Sequence, residues 1–261
     1  MQNLRLYGQP PFTVAVLHGG PGAPGTMAPV ARELAAEWGV LEPLQTADSL
    51  DGQVEELGAV LGERADLPVT LIGSSWGAML GYIFAARYPV HVRKLILVGS
   101  GVYEARYAAG IEQTRLDRLS EAERARALEL LELLERPDTA DKSQLMNAMG
   151  QLYTKADAYD PLTLDTEGLD AQYEILVRVW SNAEVLRASG ELLALGKRIA
   201  CPVLALHGDY DPHPPAGVQE PLSSVVRDFR FVLLAHCGHL PWIERQARDE
   251  FFRILRAELH G

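Results

Sequence analysis

A short apolar run, Val69-Thr70-Leu71-Ile72, passes through Gly73-Ser74-Ser75-Trp76-Gly77 directly into a helical pattern that extends to Arg87. A strand that turns into a helix over so few residues needs glycines to relieve crowding, and it leaves the central residue in a sparsely populated backbone conformation. In the G-x-S-x-G pattern that residue is Ser75, whose hydroxyl is expected to project above the sheet at the helix N-terminus. Ser74 has a register that points it away from the apex. A strand that feeds a helix in this way belongs to a parallel sheet, because parallel neighbours need a crossover and the helix supplies it.

The rest of the chain supplies such neighbours. Short apolar runs bounded by Gly, Pro or charge occur at 12–17, 40–44, 69–72, 94–98, 203–206 and 230–234. They read as strands buried on both faces. Helical patterns at 29–38, 50–64 and 76–87 alternate with the early ones, which predicts an α/β fold with a doubly wound, mostly parallel sheet. The rhythm changes after Val98. Residues 116–195 hold long helical stretches and no convincing strand, so 101–200 reads as a helical insertion, with 1–100 and 201–261 forming the sheet domain. Within the insertion, Ser120-Glu121-Ala122-Glu123 opens a helix that stops before Pro137, with a capping signature at its start. Two further helices are expected at about 169–180 and 183–195.

Composition narrows the partners. Thirty-five acidic against 24 basic residues give a net charge of −11. That charge disfavours nucleic acid and anionic membrane surfaces. The start, Met-Gln-Asn-Leu-Arg-Leu, has no signal-peptide pattern, and no apolar run approaches the ~18 residues of a membrane span. A cytoplasmic protein acting on a small molecule is expected, its oligomeric state left open. Cys201 and Cys237 alone neither make a disulfide framework nor match a metal-ligand spacing, and they read as reduced thiols.

Three more loops follow strands in an order that matters. His18-Gly19-Gly20-Pro21-Gly22 follows the strand ending at Leu17, where a close-approach glycine loop can present a backbone donor. The N–H of Gly20 and that of Trp76, the residue after the serine, are the candidate pair for an oxyanion. His18 reads as a packed scaffold residue. His207-Gly208-Asp209-Tyr210-Asp211-Pro212 follows the strand ending at Leu206, and His236-Cys237-Gly238-His239 follows the one ending at Leu234. Serine is a poor nucleophile unless a neutral imidazole takes its proton and a carboxylate fixes the imidazole's tautomer. Serine, acid and histidine occur here in that chain order.

Together HGGPG, GSSWG, HGDYD and CGHLPW resemble the α/β-hydrolases, and among them the proline iminopeptidase subgroup, over about residues 12–255. The resemblance implies Ser75 as nucleophile, Asp211 as the acid, with Asp209 a loop acceptor, and His239 as the base in preference to His236. His207 is then structural. It implies a serine hydrolase that cleaves an ester or N-terminal amide through an acyl-enzyme, without metal or organic cofactor. A C–C bond hydrolase or lactonase with the same residues, or a non-catalytic binding protein on the same fold, are the alternatives. In the iminopeptidases, acidic cap residues bind the substrate's free amino terminus, and Glu174 is the residue here at a similar position. Its other reading is a solvated helix residue. Only 11 residues precede the strand leading to HGGPG, so the opening of the sheet is expected to be reduced.

Overall fold

The computed structural model describes residues 3–162 and 169–260. In chain order the elements are β1 (Leu4–Tyr7), β2 (Phe12–Leu17), α1 (Ala28–Leu34), β3 (Gly39–Pro43), α2 (Leu50–Arg64), β4 (Val69–Ser74), α3 (Trp76–Arg87) and β5 (Val92–Val98). There follow α4 (Ile111–Arg118), α5 (Glu121–Glu135), α6 (Lys142–Asp157), α7 (Tyr173–Ser189) and α8 (Glu191–Ala194). The chain ends with β6 (Val203–Gly208), α9 (Ala216–Val225), β7 (Phe229–Leu234) and α10 (Arg248–His260).

The strands form one seven-stranded sheet in the order β1-β3-β2-β4-β5-β6-β7. Only β1 is antiparallel, on β3 at the edge; each remaining neighbour is parallel. Strand β1 escapes a sequence reading because Leu-Arg-Leu-Tyr is short and, as an edge strand, carries no continuous apolar run. It restores part of the sheet opening that was expected to be missing. The central strands alternate their side chains between two cores. Leu71, Leu95 and Leu97 pack with α2, α3 and α9 through Leu57, Phe84 and Leu222. Ile72, Ile96 and Val98 pack with α1 and α10 through Leu34, Phe251 and Leu255. The expected α/β fold, doubly wound around a mostly parallel sheet, is therefore present.

Between β5 and β6 the described residues contain helices, turns and one isolated antiparallel bridge, Pro161 to Glu244, but no strand. Helices α4, α5 and α6 share a small core of their own, built on Leu116, Leu119, Ala127, Leu130, Met149 and Ala156. Helix α5 starts at the capping box read from sequence: Glu123 N donates to Ser120 Oγ, and Glu123 Oε2 accepts from Ser120 N at 3.1 Å. Helix α7 packs elsewhere, sending Val179 and Ala183 into the main core. It is one continuous helix where two were expected. Its interruption comes at Gly190, whose left-handed backbone (φ +80°) ends the run, because only glycine adopts that conformation without cost. After β7, Pro241–Ile243 makes a single tight turn before α10 begins at Arg248. No described helix is long and apolar enough to cross a membrane. Both cysteines are buried and unpaired, and burial pushes the Cys201 thiol up to about 11.

Candidate active site

The turn between β4 and α3 has the shape its sequence requires. Ser75 sits at φ +53°, ψ −114°, and its N–H donates to Val98 O at 2.9 Å. A non-glycine residue in that region is strained and persists only where its surroundings over-determine it. They do so here by close approach. A Cβ on Gly73 would overlap the Gly77 carbonyl, and one on Gly77 would overlap the Leu17 carbonyl and lie 2.6 Å from His18 O. Ser75 occupies the N-cap position of α3, yet its hydroxyl makes no capping bond. It is half-buried, whereas Ser74 is fully buried with an unpartnered hydroxyl.

The glycine loop after β2 crosses this turn. A Cβ on Gly19 would lie 3.2 Å from Ser75 Cβ and 3.9 Å from its Oγ, so the loop backbone runs against the serine. His18 holds the loop from beneath: it is buried, with Nδ1 3.0 Å from Gly19 O and Nε2 2.9 Å from Leu44 O. Burial pushes its pKa down, against the two carbonyls that favour the charged ring. That is the scaffold role expected of it. Gly20, next in the loop, is half-buried at φ +43°. The N–H of Trp76 lies in the first turn of α3, where no earlier carbonyl of the helix can reach it. Ser75 thus lies between the glycine loop, whose Gly19 runs against it, and the first turn of α3. The Trp76 indole is tied down separately, donating to Gln53 Oε1 at 2.8 Å.

The loops after β6 and β7 supply a buried charge cluster. His239 Nδ1 lies 2.7 Å from Asp211 Oδ2, and both residues are buried. On the other carboxylate oxygen, Asp211 Oδ1 accepts from His213 N at 2.9 Å and from His213 Nδ1 at 2.8 Å. The His213 and His239 rings stack at 4.7 Å with 27° between planes. Burial alone would raise the Asp211 pKa, but His239, His213 and His207 hold it well below the carboxylate range. Burial alone would lower the pKa of each imidazole. For His239 the Asp211 carboxylate outweighs it and the net shift is upward; for His213 burial wins and the shift is downward. The ionised carboxylate is thus favoured, between two imidazoles that are shifted in opposite directions.

Strand β5 connects the two halves of the site. Val98 O receives the Ser75 N–H. Gly99, the next residue, is at φ +49°, and a Cβ built there would overlap the His239 carbonyl and lie 3.2 Å from His239 Nδ1 and 3.4 Å from Asp211 Oδ2. Consecutive residues at the carboxyl end of β5 therefore touch the strained serine and the imidazole–carboxylate pair. Such an arrangement can activate a hydroxyl, by passing its proton to a ring whose other nitrogen is fixed by a carboxylate.

The helices between β5 and β6 reach this centre. Asp157, the last residue of α6, accepts the His239 N–H on its backbone oxygen at 2.9 Å. Its carboxylate is gripped at 2.8 and 2.7 Å by Arg115 of α4, a largely buried pair. Arg118 lies 3.7 Å over the Tyr210 ring. Glu244, fully buried, accepts from the backbone N–H groups of Gly238, Tyr159 and Asp160, each at 2.8 Å. That one carboxylate ties the His239 loop to the end of the helical segment.

Of the residues singled out from sequence, Ser75 and Trp76 are consecutive in one turn, Gly20 follows Gly19 in the loop that runs against that turn, and Asp211 and His239 form one hydrogen-bonded pair reached from it through Val98 and Gly99. Asp209 accepts from Cys237 N at 3.0 Å, a loop contact. His236 is exposed against Tyr159, and His207 faces the His213 carbonyl at 2.8 Å. Glu174 is not brought to this group. Its side chain is 77% exposed on the first turn of α7, 4.0 Å from Arg178, and it lines a shallow surface hollow with Lys142 and Tyr173. Its neighbour Gln172 does touch the glycine loop, donating its backbone N–H to Gly22 O at 2.8 Å. His213, Glu244 and the Arg115–Asp157 pair had no sequence signal, since each acts across the fold. The ligand atoms of Asp211, His213 and His239 lie within 4.8 Å of one another, close enough to consider a metal ion. Both Nδ1 atoms, however, face the Asp211 carboxylate oxygens at N–H···O distances, so as donors to that carboxylate they have no lone pair to offer a metal.

A model of the alpha/beta hydrolase family matches residues 14–254. A pimeloyl-[acyl-carrier protein] methyl ester esterase of Nitrosomonas europaea is 26% identical over 215 residues, covering 75% of this chain and 72% of that one. Among solved structures, a proline iminopeptidase of Mycobacterium smegmatis superposes with a TM-score of 0.63 at 20% identity, covering 98% of this chain and 93% of that one. A 2-hydroxy-6-oxo-6-phenylhexa-2,4-dienoate hydrolase of Rhodococcus sp. strain RHA1 does so with a TM-score of 0.62 at 20% identity, covering 99% and 94%. With the family match spanning nearly the whole sheet and the segment inserted in it, the chain belongs to the alpha/beta hydrolase family.

Proposed function

We propose that the protein is a serine hydrolase acting on small-molecule esters through an acyl-enzyme, with Ser75 as nucleophile, His239 as general base and Asp211 as the group that orients it. The observation that carries this reading is the buried 2.7 Å contact between Asp211 Oδ2 and His239 Nδ1, linked through Val98 and Gly99 to the strained Ser75. With Nδ1–H given to the carboxylate, His239 Nε2 carries the lone pair that accepts the Ser75 proton. Attack on a carbonyl carbon then forms a tetrahedral oxyanion, which the N–H groups of Gly20 and Trp76 stabilise. The imidazolium returns the proton to the leaving alcohol, and water, deprotonated by the same ring, releases the acid.

Residues 101–200 act as a cap on the core formed by 1–100 and 201–261. The separate small core of α4–α6 and its contacts to the His239 loop support that division. An ester is favoured over an N-terminal amide because the residue expected to bind a free ammonium, Glu174, presents its carboxylate to solvent. Burying that ammonium without a buried partner would cost several kcal/mol. The similar esterase of Nitrosomonas europaea is in keeping with this choice.

A panel of short acyl p-nitrophenyl esters, lactones and aminoacyl arylamides tests the reading, with the wild type compared against Ser75→Ala. Ester turnover that Ser75→Ala abolishes is expected. Preference for a free-amine arylamide would return the peptidase reading, and turnover unaffected by Ser75→Ala would remove the nucleophile. Absence of turnover on every substrate would favour a binding protein.

A further inference from the structure

His213 is bound to the carboxylate as closely as His239 is, on its other oxygen. Its position follows from the turn after β6. Asp211 Oδ1 accepts the backbone N–H two residues on, a local Asx-type turn, and this brings the ring of His213 back over the same oxygen. The backbone of His213 is fixed in turn by His207, whose Nε2 lies 2.8 Å from the His213 carbonyl. Asp211 therefore cannot rotate about its terminal torsion without breaking two hydrogen bonds at Oδ1, and Oδ2 stays aimed at His239 Nδ1.

We propose that His213 is a positioning residue of the hydrolytic site: its neutral ring donates Nδ1–H to Asp211 Oδ1, locking the carboxylate and drawing charge away from the oxygen that faces His239. The inference rests on the reading of Ser75, Asp211 and His239 as the catalytic set. It requires that His213 stay neutral when His239 takes its proton. Burial holds it so, and a protonated His239 stacked at 4.7 Å reinforces it. The charged and titratable groups facing this pair are Asp211 and His207 from β6 and its loop, Arg115 from α4 and Asp157 from α6.

Two variants separate the donor from the ring. In His213→Asn the side-chain amide N–H can occupy the place of Nδ1–H; in His213→Leu the donor is gone. For His213→Leu, kcat should fall about tenfold to a hundredfold with KM nearly unchanged, the scale of a lost hydrogen bond to a charged group. Charge then concentrates on Asp211 Oδ2 and stabilises the His239 imidazolium, so the acid limb of the pH–rate profile should move to higher pH. His213→Asn should stay within about threefold of wild type and keep the wild-type limb. Should His213→Leu fail to fold, His213→Phe keeps a stacked ring without a donor and carries the same expectation. A donor-less variant with wild-type kcat and acid limb overturns the proposal, as does an Asn variant that falls as far as Leu. The catalytic reading fails separately, if Ser75→Ala retains turnover. If Ser75→Ala is inactive while His213→Leu behaves as wild type, only the role of His213 is lost.

Discussion

Replacing Asp211 with Asn changes one atom, and the hydrogen bonds around it dictate the result. Oδ1 accepts from the His213 backbone N–H at 2.9 Å and from His213 Nδ1 at 2.8 Å. The backbone donor cannot be reversed, so the amide oxygen of Asn must occupy that position. The amide NH2 is then forced toward His239 Nδ1, which has to become an acceptor. The ring proton moves to Nε2, the nitrogen that must be free to take the Ser75 proton. The variant keeps the bonds to His213 and should keep its fold, but it holds the wrong tautomer and has no charge to balance an imidazolium. The same exchange in the Ser-His-Asp triad of a serine protease costs about 10⁴ in kcat, equivalent to about 5 kcal/mol of transition-state stabilisation. Steady-state hydrolysis of a p-nitrophenyl ester, with thermal melts to verify folding, measures it. Asp209→Asn is the control. Asp209 uses one oxygen to accept Cys237 N–H at 3.0 Å, which an amide oxygen can replace, so the loss should be under about tenfold. A loss below tenfold for Asp211→Asn, or equal losses for both variants, would refute the reasoning.

Three further outcomes follow from the geometry. Because the Asp211 carboxylate leaves the His239 pKa net raised, and only the neutral ring accepts a proton, kcat/KM should rise with pH through a midpoint above the ordinary imidazole value of about 6.5. A midpoint below that value contradicts the balance of burial and charge described. Gln45 is buried at φ +49° with both side-chain amide atoms unpartnered, so Gln45→Met should stabilise the protein by about 1–3 kcal/mol in urea unfolding; a loss of stability would mean that the amide is hydrogen-bonded in solution. In Gly77→Ala the new methyl meets the Leu17 and His18 carbonyls, which should cost about 1–3 kcal/mol and most of the activity. An unchanged melting temperature would show that the turn does not pack against β2 in this way.

How far the chain could be read in advance depended on the range of the interactions. Strands β2 to β6 are buried over most of their length on both faces, so each carries an apolar run visible in isolation; β7, an edge strand with Arg230 and Leu233 exposed, was legible from its remaining Phe, Val and Leu residues rather than from two-sided burial. Edge strand β1 lacks one. Helix α7 was split at Ser181-Asn182 because polar residues there interrupt the apolar pattern, although a helix tolerates them where that face meets solvent or, as with Asn182 and Leu50 N, another element. The turn around Ser75 was legible because its strain is local and glycines mark it. His213, Glu244 and Arg115 were not, since a buried imidazole, carboxylate or guanidinium is chosen by partners that the topology brings from distant segments. Glu174 marks the opposite case, where a motif position suggested a contact and the helix face turned it to solvent.

The central claim is that Ser75 is the activated nucleophile, and covalent labelling tests it most directly. Treatment with a fluorophosphonate followed by peptide mass analysis should give one stoichiometric adduct, on the peptide carrying Gly73-Ser74-Ser75-Trp76-Gly77 and at Ser75 within it. The adduct should be absent in Ser75→Ala and slowed in Asp211→Asn. An adduct on Ser74 or any other serine, or ester hydrolysis that persists in Ser75→Ala, would contradict the account.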